Sequence, residues 1–313
     1  MADAIPTSEE LAPRRSRWWT AATVLFLLAA FGFLAAALAR NVDSLLAFDW
    51  EVRPLILLGS LAALVVSFLW GVWIWRMVLL RFGVRTAWRP LCRTWFLSNL
   101  GRYIPGKVWQ FVGAAQLGAE TGLSRLTVVS SLLVHTGVNL VAATAVCLAI
   151  LPAHLDLPGA AAWAPALIPL LLVAVHPRVI HLANGLFQRV ARRPVAEWEG
   201  SWRDGAVLLG MSLIGWVVLG VSFYLMVQAL TPVGIAALPL LVAANAAAFL
   251  AGYLVFVAPA GLGAKEGALA ALLSLLFPLP VAVALAVAAR VWTVVAELVP
   301  ALFLLRRSRP PNP

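Results

Sequence analysis

Apolar positions in this chain come in solid blocks rather than in stripes. Stretches of roughly 20 residues, the length that carries a helix across about 30 Å of hydrocarbon at 1.5 Å per residue, recur along the chain. Runs such as LIPLLLVAV (167–175) and AVALAVAA (282–289) are apolar on every face. A barrel strand would alternate apolar and polar positions, so the spans are helices with their backbone bonded internally. The pattern predicts crossings at 19–39, 54–75, 126–151, 161–176, 206–230 and 238–257, a short one at 266–279 and a long one at 281–305. The predicted fold is all-α, a polytopic transmembrane helical bundle of about eight helices.

Two segments interrupt the blocks. The first, WFLSNLGRYIPGKVWQFVGAAQLGAETGLSR (95–125), is too polar to cross alone, and Pro105 with Gly106 ends a helix after Ile104. The second, APAGLGAKEG (258–267), follows the apolar run 241–257 and precedes a helix too short for a full crossing. Broken backbone is tolerated at membrane depth only where it is buried in protein or lines a wet cavity. Both segments are therefore predicted to be re-entrant or broken, and function is placed there. The rest reads as one membrane domain, 19–305, between tails 1–18 and 306–313, with a cytoplasmic loop at 177–205 that holds one amphipathic helix.

Composition agrees with a lipid solvent, at 63% hydrophobic and 12% charged residues. Arginines cluster on alternate loops: Arg14, Arg15 and Arg17 before the first span, residues 76–93 after the second, 178–203 after the fourth, and Arg306, Arg307 and Arg309 at the end. Loops 152–160 and 231–237 hold none, so both termini are predicted cytoplasmic, in a cell membrane. The net charge of +10 thus reports orientation and anionic-lipid contact rather than nucleic acid. Ala-Leu-Ala at 37–39 imitates a signal-peptidase site, but the apolar stretch exceeds a usual signal core, and an uncleaved first helix is expected. Cys92 and Cys147 read as packing residues. The four histidines show no metal-ligand spacing and there is no nucleophile elbow, so neither catalysis nor a cofactor is expected.

Lys107 and Lys265 are the only lysines beside twenty-one arginines, and each sits in one of the two broken segments. A compact ammonium on a flexible stem receives a phosphate or carboxylate as a point charge. Arg102, Tyr103 and Gln110 flank Pro105 and Gly106 in the first break. In the second, Pro259, Gly261 and Gly263 precede Lys265 and Glu266, leaving amides uncovered at the start of a helix, where an anion is favoured. Arg290 and Glu297 lie seven apart on one face of the last helix. An arginine alone there costs about 2.5–3.5 kcal/mol on insertion scales, so the pair should face the protein interior. His135, Asn139 and Asn245 read as interhelical hydrogen-bonding residues before they read as cavity lining.

NLGRYIPGKVWQ (99–110), PAGLGAKEGAL (259–269) and Arg290-Val-Trp-Thr together resemble the lysylphosphatidylglycerol synthase transmembrane-region family, also described as flippase-like. The resemblance runs from the second helix to the last. Members usually read Pro-Gly-Gly-Leu-Gly-Val-Arg-Glu at the second motif, so Ala260 stands for a glycine and Lys265 for an arginine. With the chain ending at Pro313, the resemblance implies lipid handling without the aminoacyl transfer of the two-domain synthases. The expectation is a translocase for an anionic phospholipid or polyprenyl-phosphate-linked precursor, its headgroup received by Lys107, Lys265, Arg102 and Arg290. Glu266 either pairs with a lysine until phosphate arrives or contacts a headgroup amine. A noncatalytic lipid-binding accessory to a membrane enzyme and a transporter of a small soluble anion remain open. Small-residue helix faces also leave a homodimer open.

Overall fold

The computed structural model describes residues 32, 39, 42–104, 108–155, 159, 163–191, 196–255 and 258–306. The span 19–39 and its uncleaved-anchor reading lie outside the described residues except at two positions, and so do the tails apart from Arg306. Among the described residues every regular element is a helix. In order they are α1 (Val42–Leu46), α2 (Pro54–Arg81), α3 (Trp88–Asn99), α4 (Trp109–Ala119), α5 (Arg125–Ile150), α6 (Ile168–Ala174), α7 (Pro177–Ala191), α8 (Trp202–Leu230), α9 (Leu238–Leu254), α10 (Ala264–Leu273) and α11 (Leu279–Arg306).

Five of these are long and apolar enough to cross a membrane: α2, α5, α8, α9 with the turn before it, and α11. Their ends obey local chemistry. Pro54 opens α2, where its missing N–H is one that a first turn leaves unpaired anyway. Ser201 and Asp204 close a reciprocal capping box on α8. Within the crossing predicted at 161–176 the described helical stretch is Ala164–Ala174, and it meets the next helix, Pro177–Val190, at 59°, because Pro177 cannot continue the preceding helix. Within the predicted loop 177–205, α7 is the expected amphipathic helix, with Val179, Leu182, Leu186 and Val190 exposed while Ile180 and Asn184 are buried. The candidate at 266–279 shortens to α10, whose 10 residues span about 15 Å, half a crossing.

α2 is the axis of the bundle, and three apolar clusters meet on it. Leu64 packs with Phe223, Leu241, Leu285 and Trp292 from α8, α9 and α11; Ile74 and Val78 pack with Val138 and Leu208; Trp75 and Leu79 pack with Phe96 and Ala114 of α3 and α4. Bonds between helix ends sort the molecule into two sides. The Arg53 N–H donates to the Ala229 carbonyl at 2.7 Å, joining the start of α2 to the end of α8. At the other end the Glu199 N–H donates to the Arg81 carbonyl at 2.8 Å, and Arg81 pairs with Asp204 at 2.6 Å. The arginine-rich loops 76–93 and 178–203 therefore share one side, as the charge pattern requires.

Candidate functional site

Each broken segment is built by local backbone rules. α3 tightens into a 3₁₀ turn, Leu100–Tyr103, and Ile104 is already extended at φ −88°, ψ 135°, as the residue before a proline must be. α4 returns from Trp109 so closely that a Cβ on Gly101 would lie 2.9 Å from the Trp109 carbonyl oxygen and the Gln110 nitrogen. α3 and α4, 12 and 11 residues long, thus form a hairpin that begins at Trp88, seven residues before the predicted segment 95–125, and ends within it at Ala119. Pro105, Gly106 and Lys107 lie outside the described residues.

In the second break α9 stops at Leu254 and the chain passes through a 3₁₀ turn, Pro259–Gly261, before α10 begins. Ala260, Gly261 and Gly263 all have left-handed backbone, with φ of 47°, 69° and 82°. Gly261 also abuts α9: a Cβ there would lie 2.6 Å from the Gly252 Cα. The first turn of α10 is held by Glu266, whose Oε2 accepts from the Gly263 N–H at 2.8 Å.

The two tips contact each other, and α11 stitches them together. Glu297, 2% exposed, pairs with Arg102 and accepts from the Tyr103 hydroxyl at 2.9 Å. Arg290 lies 5.3 Å from the centroid of the Tyr103 ring, and Arg102 lies 5.6 Å from the same ring. Arg290 Nη1 donates to the Ala260 carbonyl at 3.2 Å and sits 3.3 Å from Oε1 of Glu266, itself 3% exposed. That Oε1 makes no aligned hydrogen bond, so the contact with Arg290 is an ion pair by proximity. Arg290 and Glu297 share a face as expected, but each pairs with a different broken segment and not with the other. Glu266 pairs with Arg290 rather than with its neighbour Lys265. Successive residues on a helix point about 100° apart, so one faces α11 and the other the cavity.

These groups line a cavity of about 260 Å³ beside the middle stretches of α2, α5, α8, α9 and α11. Arg102, Tyr103, Gln110, Lys265, Arg290 and Glu297 all reach it. Lys265 has no hydrogen bond or ion pair among the described residues. Among the described residues three cations, Arg102, Lys265 and Arg290, meet two carboxylates, Glu266 and Glu297, a positive excess.

The description lysylphosphatidylglycerol synthase TM region matches residues 18–301. The chain belongs to this family. No curated protein and no solved structure matches it. Membership accounts for the multi-pass membrane architecture and for the two motifs, which in this member are brought together in space.

Sequence reasoning placed His135, Asn139 and Asn245 behind the charged residues, yet all three line the cavity. Their signal was position, since each falls near the middle of a long apolar span. Ser212, Trp70 and Trp216 line it too and were missed, because serine and tryptophan are ordinary packing residues in membrane helices. The Ala260 carbonyl, an acceptor for Arg290, carried no side-chain signal beyond alanine standing where the family has glycine.

Proposed function

We propose that the protein is a noncatalytic translocase for an anionic lipid, and that the phosphate of its headgroup enters the cavity against Lys265, Arg290 and Arg102. One observation carries this reading: two half-length segments from separate parts of the chain meet beside the middle of the long helices and, together with Arg290 of α11, place three cations around one cavity. A charged headgroup in hydrocarbon faces a Born cost of tens of kcal/mol, so a fixed polar path is what a protein must supply to move it. Arg102 and Arg290 are already committed to Glu297 and Glu266. Lys265 is the cation left to receive phosphate first, and Lys107 belongs to the same tip as Arg102 by sequence. Broken helices that face each other also form the moving parts of repeat-built transporters. The acyl or polyprenyl tail stays in lipid throughout. We place the protein in the cell membrane with both termini cytoplasmic; an impermeant maleimide should then label Gly234→Cys on intact cells, and labelling only after permeabilisation would reverse the orientation.

The test is transbilayer movement of fluorescent lipids in vesicles containing the purified protein. Anionic phospholipid or a polyprenyl-phosphate analogue is expected to move at least ten times faster than a zwitterionic lipid, with the detached headgroup a poor competitor. Binding without movement would replace the translocase with a lipid-presenting accessory. Competition by free headgroup as strong as by whole lipid would make the substrate a small soluble anion.

A further inference from the structure

The cavity has a wall that a phosphate does not explain. Its cations come from the two breaks and from α11, whereas α5, α8 and α9 contribute no Asp, Glu, Lys or Arg to the lining. They contribute instead the carboxamides of Asn139 and Asn245 and the hydroxyl of Ser212. Asn245 and Ser212 are 7% and 2% exposed and Asn139 is half-buried; among the described residues none of the three side chains makes a hydrogen bond, the Ser212 hydroxyl being fully buried while the two carboxamides keep surface open to the cavity. The two open carboxamides are free to pair with whatever fills the cavity, and the Ser212 hydroxyl beside them, buried without a partner among the described residues, costs about 1–3 kcal/mol until something pairs with it.

The aromatic groups beside them are in the opposite condition. The indole N–H of Trp70 donates to the Met211 carbonyl at 2.8 Å, that of Trp216 to the Asn139 carbonyl at 3.3 Å, and that of Trp292 to the Ser60 hydroxyl at 3.0 Å. With their donors spent on protein, the rings offer the cavity carbon surface alone. The wall therefore combines uncharged groups that donate and accept with flat apolar faces. An acyl chain would leave the carboxamides unpaired, and an ammonium would find no carboxylate on this wall. A sugar or cyclic polyol matches both features, because its hydroxyls donate and accept at once and its ring C–H faces are apolar.

We propose that Asn139, Ser212, Asn245, Trp70 and Trp216 form a subsite for a sugar or cyclic polyol joined to the phosphate that Lys265 and the arginines receive. The phosphate half of the ligand rests on the function proposed above; the polyol half rests on this wall. Asn245 also borders a small adjoining pocket with Lys265, Glu266 and Arg290, so the two subsites are contiguous, as a phosphodiester between lipid and polyol demands.

The experiment measures binding of three lipids to the purified full-length protein in nanodiscs: phosphatidylinositol, which carries phosphate and polyol; phosphatidic acid, which carries phosphate alone; and a neutral monoglucosyl diacylglycerol. Wild type is expected to hold phosphatidylinositol at least ten times more tightly than phosphatidic acid. Asn245→Leu should bring that ratio to within about twofold of one. Ser212→Ala, which removes a single oxygen and keeps the fold, should lower the ratio about threefold. A wild-type ratio near one, or a ratio that neither variant alters, overturns the polyol subsite. If both phospholipids bind equally and depend on Lys265, the phosphate reading survives alone. If glucosyl lipid binds through Asn245 while no phospholipid depends on Lys265, the subsite survives and the phosphate reading fails. Displacement by myo-inositol 1-phosphate as strong as by phosphatidylinositol would assign the subsite to a soluble polyol phosphate.

Discussion

Glu297 holds two groups from the first hairpin, the Arg102 guanidinium and the Tyr103 hydroxyl, and its loss strands both. Removing one partner of a buried ion pair costs about 3–5 kcal/mol, because the remaining charge is left uncompensated. Arg102 keeps 30% of its side-chain surface exposed, so the lower end of that range applies. Glu297→Ala should destabilise the protein by about 3 kcal/mol, and Tyr103→Phe, which forfeits one hydrogen bond, by about 1 kcal/mol. Denaturation in a fixed detergent checks the order; equal effects would mean that Glu297 does not organise the hairpin. The sequence allowed part of this to be read. Two charges seven apart in an apolar helix had to face inward. Their partners were not legible, since pairing across some 190 positions depends on how two hairpin tips meet. For the same reason the two partners the sequence suggests for Glu266, a lysine or a headgroup amine, do not include Arg290, against which it lies.

At the level of elements, the second break is held open by backbone geometry that only some residues accept. Gly261 combines left-handed backbone with contact against Gly252, so Gly261→Ala should cost about 2–4 kcal/mol in steric strain and forced separation from α9. The neighbouring Ala260 already occupies left-handed backbone at φ 47°. That conformation costs an L-residue about 1–2 kcal/mol, and glycine returns some 0.5–1 kcal/mol of it as lost chain entropy. Ala260→Gly is thus expected to raise stability by up to about 1 kcal/mol, opposite in sign to the change one residue later. Thermal melting of the two variants reads both signs, and destabilisation by Ala260→Gly would show that this turn is not strained. The breaks themselves were visible in the sequence, because proline and glycine punctuate helices wherever they fall. The length of α10 was harder to read. Its apolar residues continue to Phe277, and only the cap at Gly263 and the turn after Leu273 cut the helix to half a crossing.

For the whole molecule, block hydrophobicity placed all five long helices, since each solves its own hydrogen bonding within one segment. The cavity was not legible as such. It forms because α3–α4 and α10 stop short, leaving polar side chains at the middle of α5, α8, α9 and α11 with a space to face instead of lipid. The central claim is that this space admits a phosphate and that Lys265 receives it. Lys265→Ala tests it with little structural cost, because alanine retains the Cβ that packs over Gly252. The decisive measurement is the initial rate of transbilayer movement of an anionic lipid in vesicles matched for protein content, wild type against Lys265→Ala. A loss of at least tenfold, with the slow zwitterionic background unchanged and the variant's melting temperature preserved, is the expected result. An anionic-lipid rate that survives the substitution would contradict it.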